Sequence, residues 1–292
     1  MTAIKNPTSR RDFLRVSVTA ASTFLLPAAL AAAPVTAHRI LTCNILLKLN
    51  EHEGTPMDWD AARRDLCIKT IRDQNADIIC LQEVGPVQIH DFRRAFTGFN
   101  DFGFDGPVSD KMPERFQGIR NVTFYNNGRY KLIACNSYTL SNKPLIDGSR
   151  LAKRNIGRHV NWVRLQDRAT GKQFRVLNTH LSLTPELRTK ETAIIAEEAK
   201  QYLPDFPQFL CGDLNSRIFT HEQKILHETN WKDTYTNIHP EGSKDYIDPQ
   251  NRIDFIYTRG KVQTTGAARF IGKTGEVPAS DHPFFSADVI LE

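Results

Sequence analysis

The sequence predicts an α/β fold, and three observations carry that prediction. Short apolar runs of strand length alternate with segments whose apolar residues recur at helical spacing. Five of those runs end in, or enclose, a side chain suited to catalysis, which places polar chemistry at strand ends rather than on helix faces. At 292 residues with 40% apolar content, the chain can bury a large core, as one big domain or two small ones.

The N-terminal residues stand outside that core. Ser9-Arg10-Arg11-Asp12-Phe13-Leu14-Arg15 sets paired arginines before a weakly apolar Ala/Ser/Thr/Leu run that reaches about Ala33, and Val35-Thr36-Ala37 then offers small residues suited to signal-peptidase cleavage. This segment resembles a twin-arginine export signal. Residues 1–37 are therefore expected to be a cleaved leader and 38–292 a catalytic domain, in a protein that is periplasmic or secreted. Pro27 and the alanine content make the leader a poor permanent span, and no other stretch is apolar enough to cross a bilayer. Removing four basic residues (Lys5, Arg10, Arg11, Arg15) and one acid (Asp12) lowers the net charge from +5 to about +2. That balance gives little non-specific grip on a polyanion, though a local basic groove stays open. The expected state is a monomer.

From residue 38 onward the elements alternate. His38 to Leu46 reads as a strand with Asn44 near its end. Residues 59–74 follow with Ala62, Leu66, Cys67, Thr70 and Ile71 at helical spacing. Asp77-Ile78-Ile79-Cys80-Leu81-Gln82-Glu83-Val84 is a buried strand closing in Gln-Glu before Gly85-Pro86. A helix is expected over 87–96, then a Gly/Asp/Phe-rich loop over 98–118, too polar for core and placed as a substrate rim. Residues 121–125 and 130–135, joined by Asn126-Asn127-Gly128-Arg129, read as a hairpin. The polar segment 141–157 carries Lys143, Arg150, Lys153 and Arg154, with Arg158 just after it. A second hairpin joins 160–165 to 172–180, which ends in Asn178-Thr179-His180. Helix 185–203, the strand Gln208 to Cys211, a short helix over 221–228, the strand Arg252 to Tyr257 and a last strand over 284–290 complete the chain.

Cys43, Cys67, Cys80, Cys135 and Cys211 all lie in apolar or periodic runs, without zinc-ligand spacing. They read mainly as small core residues. An odd count in an exported chain leaves at least one thiol unpaired, and a single disulfide stays open.

Phe209-Leu210-Cys211-Gly212-Asp213-Leu214-Asn215-Ser216 is the most telling stretch. Residues i and i+2 of a strand point the same way, so Asp213 and Asn215 are expected side by side at a buried strand's end. A carboxylate beside a carboxamide can take a proton from water and hold an oxyanion. Alone, the string also fits an Asx-turn. Joint recurrence of Asn44, Glu83, His180, Asp213/Asn215 and Asp254 at strand ends, with Asp281-His282 introducing the last strand, favours one shared cleft.

The ordered set Asn44, Leu81-Gln82-Glu83, Asn178-Thr179-His180-Leu181, Gly212-Asp213-Leu214-Asn215, Arg252-Ile253-Asp254-Phe255-Ile256 and Ser280-Asp281-His282 resembles the endonuclease/exonuclease/phosphatase superfamily, from about Arg39 to the C-terminus. The resemblance implies a four-layer α/β sandwich, two mixed sheets face to face with helices outside, and Mg²⁺-dependent phosphoester cleavage, with Mn²⁺ as the alternative ion. It implies Glu83 as the direct metal ligand, Asn44 beside it and Asp281 as a further or water-mediated ligand. Asp213 would deprotonate the attacking water, while Asn215 fixes it or a phosphate oxygen. His282, paired with Asp254, would hold a non-bridging oxygen or move a proton. His180 and Asn178 would contact phosphate from the other half, and Arg158 would add charge at the rim. The substrate expected is a phosphoester, with a general phosphodiesterase or phosphatase favoured over a dedicated nuclease. Nucleic acid is the alternative that the basic stretch keeps open, and a non-catalytic binding module is the other class.

Overall fold

The computed structural model describes residues 37–104, 116, 118–146, 148–152, 156–217, 220–248 and 252–292. The segment expected to be an export signal lies outside the described residues apart from Ala37, as do Lys153 and Arg154 of the basic stretch. In chain order the elements are β1 (His38–Asn44), α1 (Ala61–Arg72), β2 (Ile78–Val84), α2 (Pro86–Ala95), β3 (Phe99–Phe102), β4 (Arg120–Asn126), β5 (Tyr130–Thr139), β6 (His159–Asp167) and β7 (Gln173–His180). There follow α3 (Pro185–Ala199), β8 (Gln208–Asp213), α4 (His221–Glu228), β9 (Lys232–Asp233), α5 (Thr234–Ile238), β10 (Asp254–Arg259), β11 (Val262–Phe270), β12 (Lys273–Thr274), β13 (Val277–Pro278) and β14 (Phe284–Leu291).

Two mixed six-stranded sheets result, in the orders β11-β14-β1-β2-β4-β3 and β5-β6-β7-β8-β10-β9. Each contains one parallel pair, β1 with β2 and β7 with β8, made by strand–helix–strand units through α1 and α3. Alternation along the strands sorts the core into layers. Ile40, Ile78, Cys80, Val163, Phe174, Val176, Phe209, Cys211 and Ile256 meet between the sheets. Leu41, Cys43, Ile79 and Leu81 pack outward on Cys67 and Ile71 of α1 and on Ile89 and Phe92 of α2. Leu177, Leu210, Phe255 and Tyr257 pack outward on Ile195 and Ala199 of α3 and Leu226 of α4. Three apolar layers make the four-layer sandwich that the resemblance implied. The inner strands are buried on both faces, which is why they read as nearly continuous apolar runs.

The hairpin expected over 121–135 is corrected. β4 pairs with β2 and β3 in one sheet, while β5 pairs with β6 in the other, so Asn126–Arg129 carries the chain between sheets. Burial explains it: β4 is buried along its middle, whereas 131–134 of β5 are exposed on an edge. The loop expected over 98–118 also contains an edge strand, β3, and residues 105–115 and 117 of it lie outside the described residues. All five cysteines are free thiols, four buried and Cys135 half-buried.

Candidate active site

Topology gathers the predicted side chains on one rim. In each parallel pair both strands end at the same edge, so Asn44, Glu83, His180 and Asp213 emerge together. β10 starts and β14 is entered at that edge because each runs antiparallel to its neighbour: Asp254 lies opposite Asp213, and His180 is in register with Asp213. The backbone is bent to complete the set. Glu83 would alternate onto the outer face, but a register shift between Leu81 and Val84 and a φ of 60° swing it to the rim. Leu46 (φ 59°) and Asn215 (φ 49°) are left-handed at the same edge. Such conformations cost on the order of 1–3 kcal/mol each and concentrate at functional sites.

Asp213 is the hub. Its Oδ2 accepts from Asn44 Nδ2 at 3.1 Å and lies 3.4 Å from His180 Nε2 and 3.9 Å from His282 Nε2. Its Oδ1 accepts from the Asn215 backbone N–H at 2.8 Å. The Asx-turn geometry and the site thus coexist. Burial first, then the charge of Asp254, lift the Asp213 carboxyl to about 7, against the pull of His282, the Asn215 amide and Asn44. His282 Nδ1 donates to Asp254 Oδ2 at 2.8 Å. Burial alone would lower that imidazole, but the hydrogen bond and charge of Asp254, with Asp213 and Asp281, outweigh it and hold it at about 9. Burial, Arg158 and His282 push His180 well below its ordinary value, so its ring is neutral. Asn215 Nδ2 donates to Leu181 O at 2.9 Å and meets His180 Nε2 at 3.0 Å. Nε2 is then the acceptor, and the ring proton sits on Nδ1, 3.8 Å from Glu83 Oε1.

Asn44 Nδ2 also donates to Glu83 Oε1 at 3.0 Å, while its Oδ1 accepts from Leu46 N at 3.1 Å. In this arrangement Asn44 bridges two carboxylates as a donor rather than offering oxygen to a cation. Glu83 Oε2 accepts from Leu47 N at 3.1 Å. Asp281 is exposed, its Oδ1 3.1 Å from the Ser280 hydroxyl oxygen. Arg158 is half-buried and close enough for the charges of Glu191, Asp213 and Glu83 to oppose the lowering of its pKa by burial. The placement of Asn178 corrects the expectation of a phosphate contact. It is fully buried between the sheets, donating to Leu81 O and Val122 O and accepting from Gln82 Nε2 at 2.8 Å. The parity that aims His180 at the rim puts Asn178 one step inside. Ser280 was not singled out, although it stands in the Ser-Asp-His triplet. Its hydroxyl donates to Asn44 O at 2.7 Å and accepts from His282 N at 3.2 Å, tying the entry of β14 to the end of β1.

The residues fit a divalent cation. Asp254 Oδ1 is buried and has no hydrogen-bond partner, and such an orphaned anionic oxygen calls for positive charge. Asp213, Asp254 and His282 lie with ligand-type atoms within 4.8 Å of one another; the cationic His282 ring has no free lone pair, so the two carboxylates are what a cation there would meet. Hard carboxylate oxygens dominate the rim and no thiol joins them, a donor set suited to Mg²⁺ or Mn²⁺.

The model of the Endonuclease/Exonuclease/phosphatase family matches residues 41–282. A curated relative, the CCR4-Not complex 3'-5'-exoribonuclease subunit Ccr4 of Coccidioides immitis, is 30% identical over 154 residues, 48% of this chain. The match spans only 20% of that relative's length. Among solved structures, an endonuclease/exonuclease/phosphatase from Bacteroides vulgatus superposes with a TM-score of 0.73 at 24% identity, covering 88% of this chain and 100% of the other. A mannosyl-6-phosphatase from Bacteroides thetaiotaomicron gives 0.71 at 17% identity, over 87% of this chain and 100% of its own. With a match from the first strand to the last histidine of the rim, the chain belongs to the endonuclease/exonuclease/phosphatase family.

Proposed function

We propose that this protein is a metal-dependent phosphoester hydrolase in which Asp213 activates the attacking water. One observation carries the reading: a carboxylate poised near neutrality lies between a neutral imidazole and a cationic one. A general base works best with a pKa near the operating pH, and Asp213 stands at about 7. Its Oδ2 takes the proton as water adds to phosphorus. The cationic Nε2–H of His282 faces the same oxygen and is positioned to hold a non-bridging phosphoryl oxygen as charge develops. The Asn215 carboxamide and the His180 ring flank the attack side, and Arg158 adds positive charge at the rim. A divalent cation held by Glu83, with Asp281 and the unpaired Oδ1 of Asp254 completing the acidic set, would neutralise the phosphoryl group for attack.

The expected outcome is Mg²⁺-supported hydrolysis of a chromogenic phosphodiester, abolished by EDTA and restored by Mg²⁺ or Mn²⁺. Glu83→Gln keeps the shape but removes the anion. Turnover should fall by orders of magnitude, partly recovered at high metal, with the melting temperature unchanged. Undiminished turnover in EDTA would sink the reading. A nuclease is the second reading, favoured by similarity to an exoribonuclease subunit; the phosphatase among structural neighbours supports the fold alone. RNA, DNA and sugar-phosphate substrates assayed side by side separate the two.

Export through the twin-arginine route completes the proposal, supported by Arg10-Arg11 before the weakly apolar run. No helix among the described residues is long and apolar enough to cross a membrane. Residues 1–37 fused to a folded reporter should carry it out of the cytoplasm, and Arg10→Lys/Arg11→Lys should stop it. Export indifferent to both changes would overturn the route.

A further inference from the structure

Glu191 of α3 is a buried carboxylate that the proposed reaction does not use. It is 1% exposed and directs both oxygens at one residue: Oε2 accepts from the Ser182 backbone N–H at 2.8 Å and Oε1 from the Ser182 hydroxyl at 2.5 Å. What distinguishes these bonds is the peptide unit they hold. The N–H of Ser182 and the carbonyl of Leu181 belong to one planar group, and no peptide bond among the described residues is cis. The two dipoles therefore point to opposite sides, with Glu191 on one and the reaction rim on the other.

On the rim side, Leu181 O accepts from Asn215 Nδ2 at 2.9 Å. A carbonyl can only accept, so this bond fixes which end of the carboxamide carries the N–H groups. The second N–H of the same nitrogen then meets His180 Nε2 at 3.0 Å. That ring nitrogen is under opposing demands. Asp213 Oδ2, 3.4 Å away, favours a proton on Nε2, whereas the Asn215 N–H requires a lone pair there. With Asn215 held, Nε2 stays an acceptor and leaves Asp213 Oδ2 open on that side to water. With Asn215 released, the ring would change tautomer and donate to the carboxylate that has to act as base. Arg188, one turn earlier on α3, steadies the same loop by donating from Nη1 to Leu183 O at 2.8 Å.

We propose that Glu191 is a positioning residue, which through the 181–182 peptide and Asn215 sets the tautomer of His180 and so keeps Asp213 free to deprotonate water. The proposal rests on the phosphoesterase reading for its consequence in turnover, and on the hydrogen bonds alone for the tautomer. The competing account is electrostatic. Among the charges that oppose the effect of burial on the Arg158 guanidinium, that of Glu191 is the largest, and on this account Glu191 serves only as a counter-ion. Geometry favours the peptide, because both carboxylate oxygens are committed to Ser182. Reach and charge are separable: glutamine keeps the first and aspartate the second.

Imidazole ¹⁵N spectra of the full chain in EDTA read the tautomer without turnover, the His180 signals being identified by their loss in His180→Gln. In the wild type Nε2 should be unprotonated. Glu191→Gln should leave it so, since its oxygen can accept from the Ser182 N–H while its amide donates to the hydroxyl. Glu191→Asp retains the charge but draws the carboxylate back by one methylene, and should shift the ring toward protonation at Nε2. With Mg²⁺ and a chromogenic phosphodiester, kcat should fall about 10- to 100-fold in Glu191→Asp, the range for losing a group that orients a reacting one. It should stay close to wild type in Glu191→Gln, with KM little changed in both and melting temperatures as folding controls. A wild-type ring protonated at Nε2, a tautomer indifferent to Glu191→Asp, or losses in Glu191→Gln equal to those in Glu191→Asp would overturn the assignment. A wild type that hydrolyses no phosphoester would count against the phosphoesterase reading alone, because the spectra decide the role of Glu191 without turnover.

Discussion

Asp254 and His282 come from distant parts of the chain and meet as one unit. The carboxylate is buried, spends Oδ2 on the histidine and keeps Oδ1 unpaired. It therefore fixes the ring's orientation and its cationic form. Asp254→Asn preserves volume while removing the charge. Loss of a positioned acid–base or anchoring group usually costs about 10²–10⁴-fold, and the same range is expected in kcat/KM here. His282→Ala should cost a similar factor, and the double variant little more than either single, because groups acting as a unit lose their effect together. Kinetics of the three variants, with melting temperatures as folding controls, checks this. Additive losses would mean that the two residues act separately. Asp254 and His282 were legible in the sequence as strand-end polars. The interior role of Asn178 was not, because the residue-by-residue pattern does not say at which residue a strand leaves the sandwich.

At the scale of elements, the site depends on how closely β7 and β8 approach. Gly212 has a φ of 148°, and a Cβ added there would fall 1.9 Å from Thr179 O. The glycine between Cys211 and Asp213 is thus needed twice, for its backbone angle and for the space. Gly212→Ala should destabilise the fold by about 3 kcal/mol or more, the range of severe overpacking with backbone strain, and displace Asp213 from Asn44. Gly171→Ala is the matched control, with φ 72° and nothing within 4 Å of the added methyl. It should cost only about 1 kcal/mol. Denaturant midpoints for the two variants decide the matter: equal losses would show that the contact with Thr179 is not what constrains Gly212. The apolar run and its glycine announced a strand end. The left-handed turn at Glu83 had no such signal, because glutamate is not a residue that marks positive φ.

For the whole molecule, the end of the sandwich away from the site is joined by His38. This β1 residue is 3% exposed, its Nδ1 lies 2.7 Å from the Tyr130 hydroxyl, and its ring packs on Tyr130 and Phe174 of the other sheet. Burial first, then Arg129 and Lys172, against the opposing charges of Asp167 and Asp77, lowers His38 to about 4. The unfolded chain binds a proton near the ordinary value of 6.5, so between the two values the unfolded state holds more protons. The stability that the neutral ring contributes is complete above about pH 6.5 and is lost as the pH falls toward 4, to the extent of about 3 kcal/mol. His38→Gln should therefore make the unfolding free energy less steep across that interval, as denaturant titrations at several pH values would reveal. An unchanged slope would show that His38 does not carry this linkage.

By itself, the sequence determined the alternation of strands and helices and the set of polar residues at strand ends, because these follow from local periodicity and chain order. Six motifs in order were enough to imply the sandwich and its rim. Tertiary structure decided what periodicity cannot express. β4 and β5 looked like a hairpin because turn chemistry and strand propensity are local, yet edge pairing sent them to different sheets. Asn178 and His180 shared one face of one strand, and only the thickness of the sandwich separated a buried bridge from a rim residue.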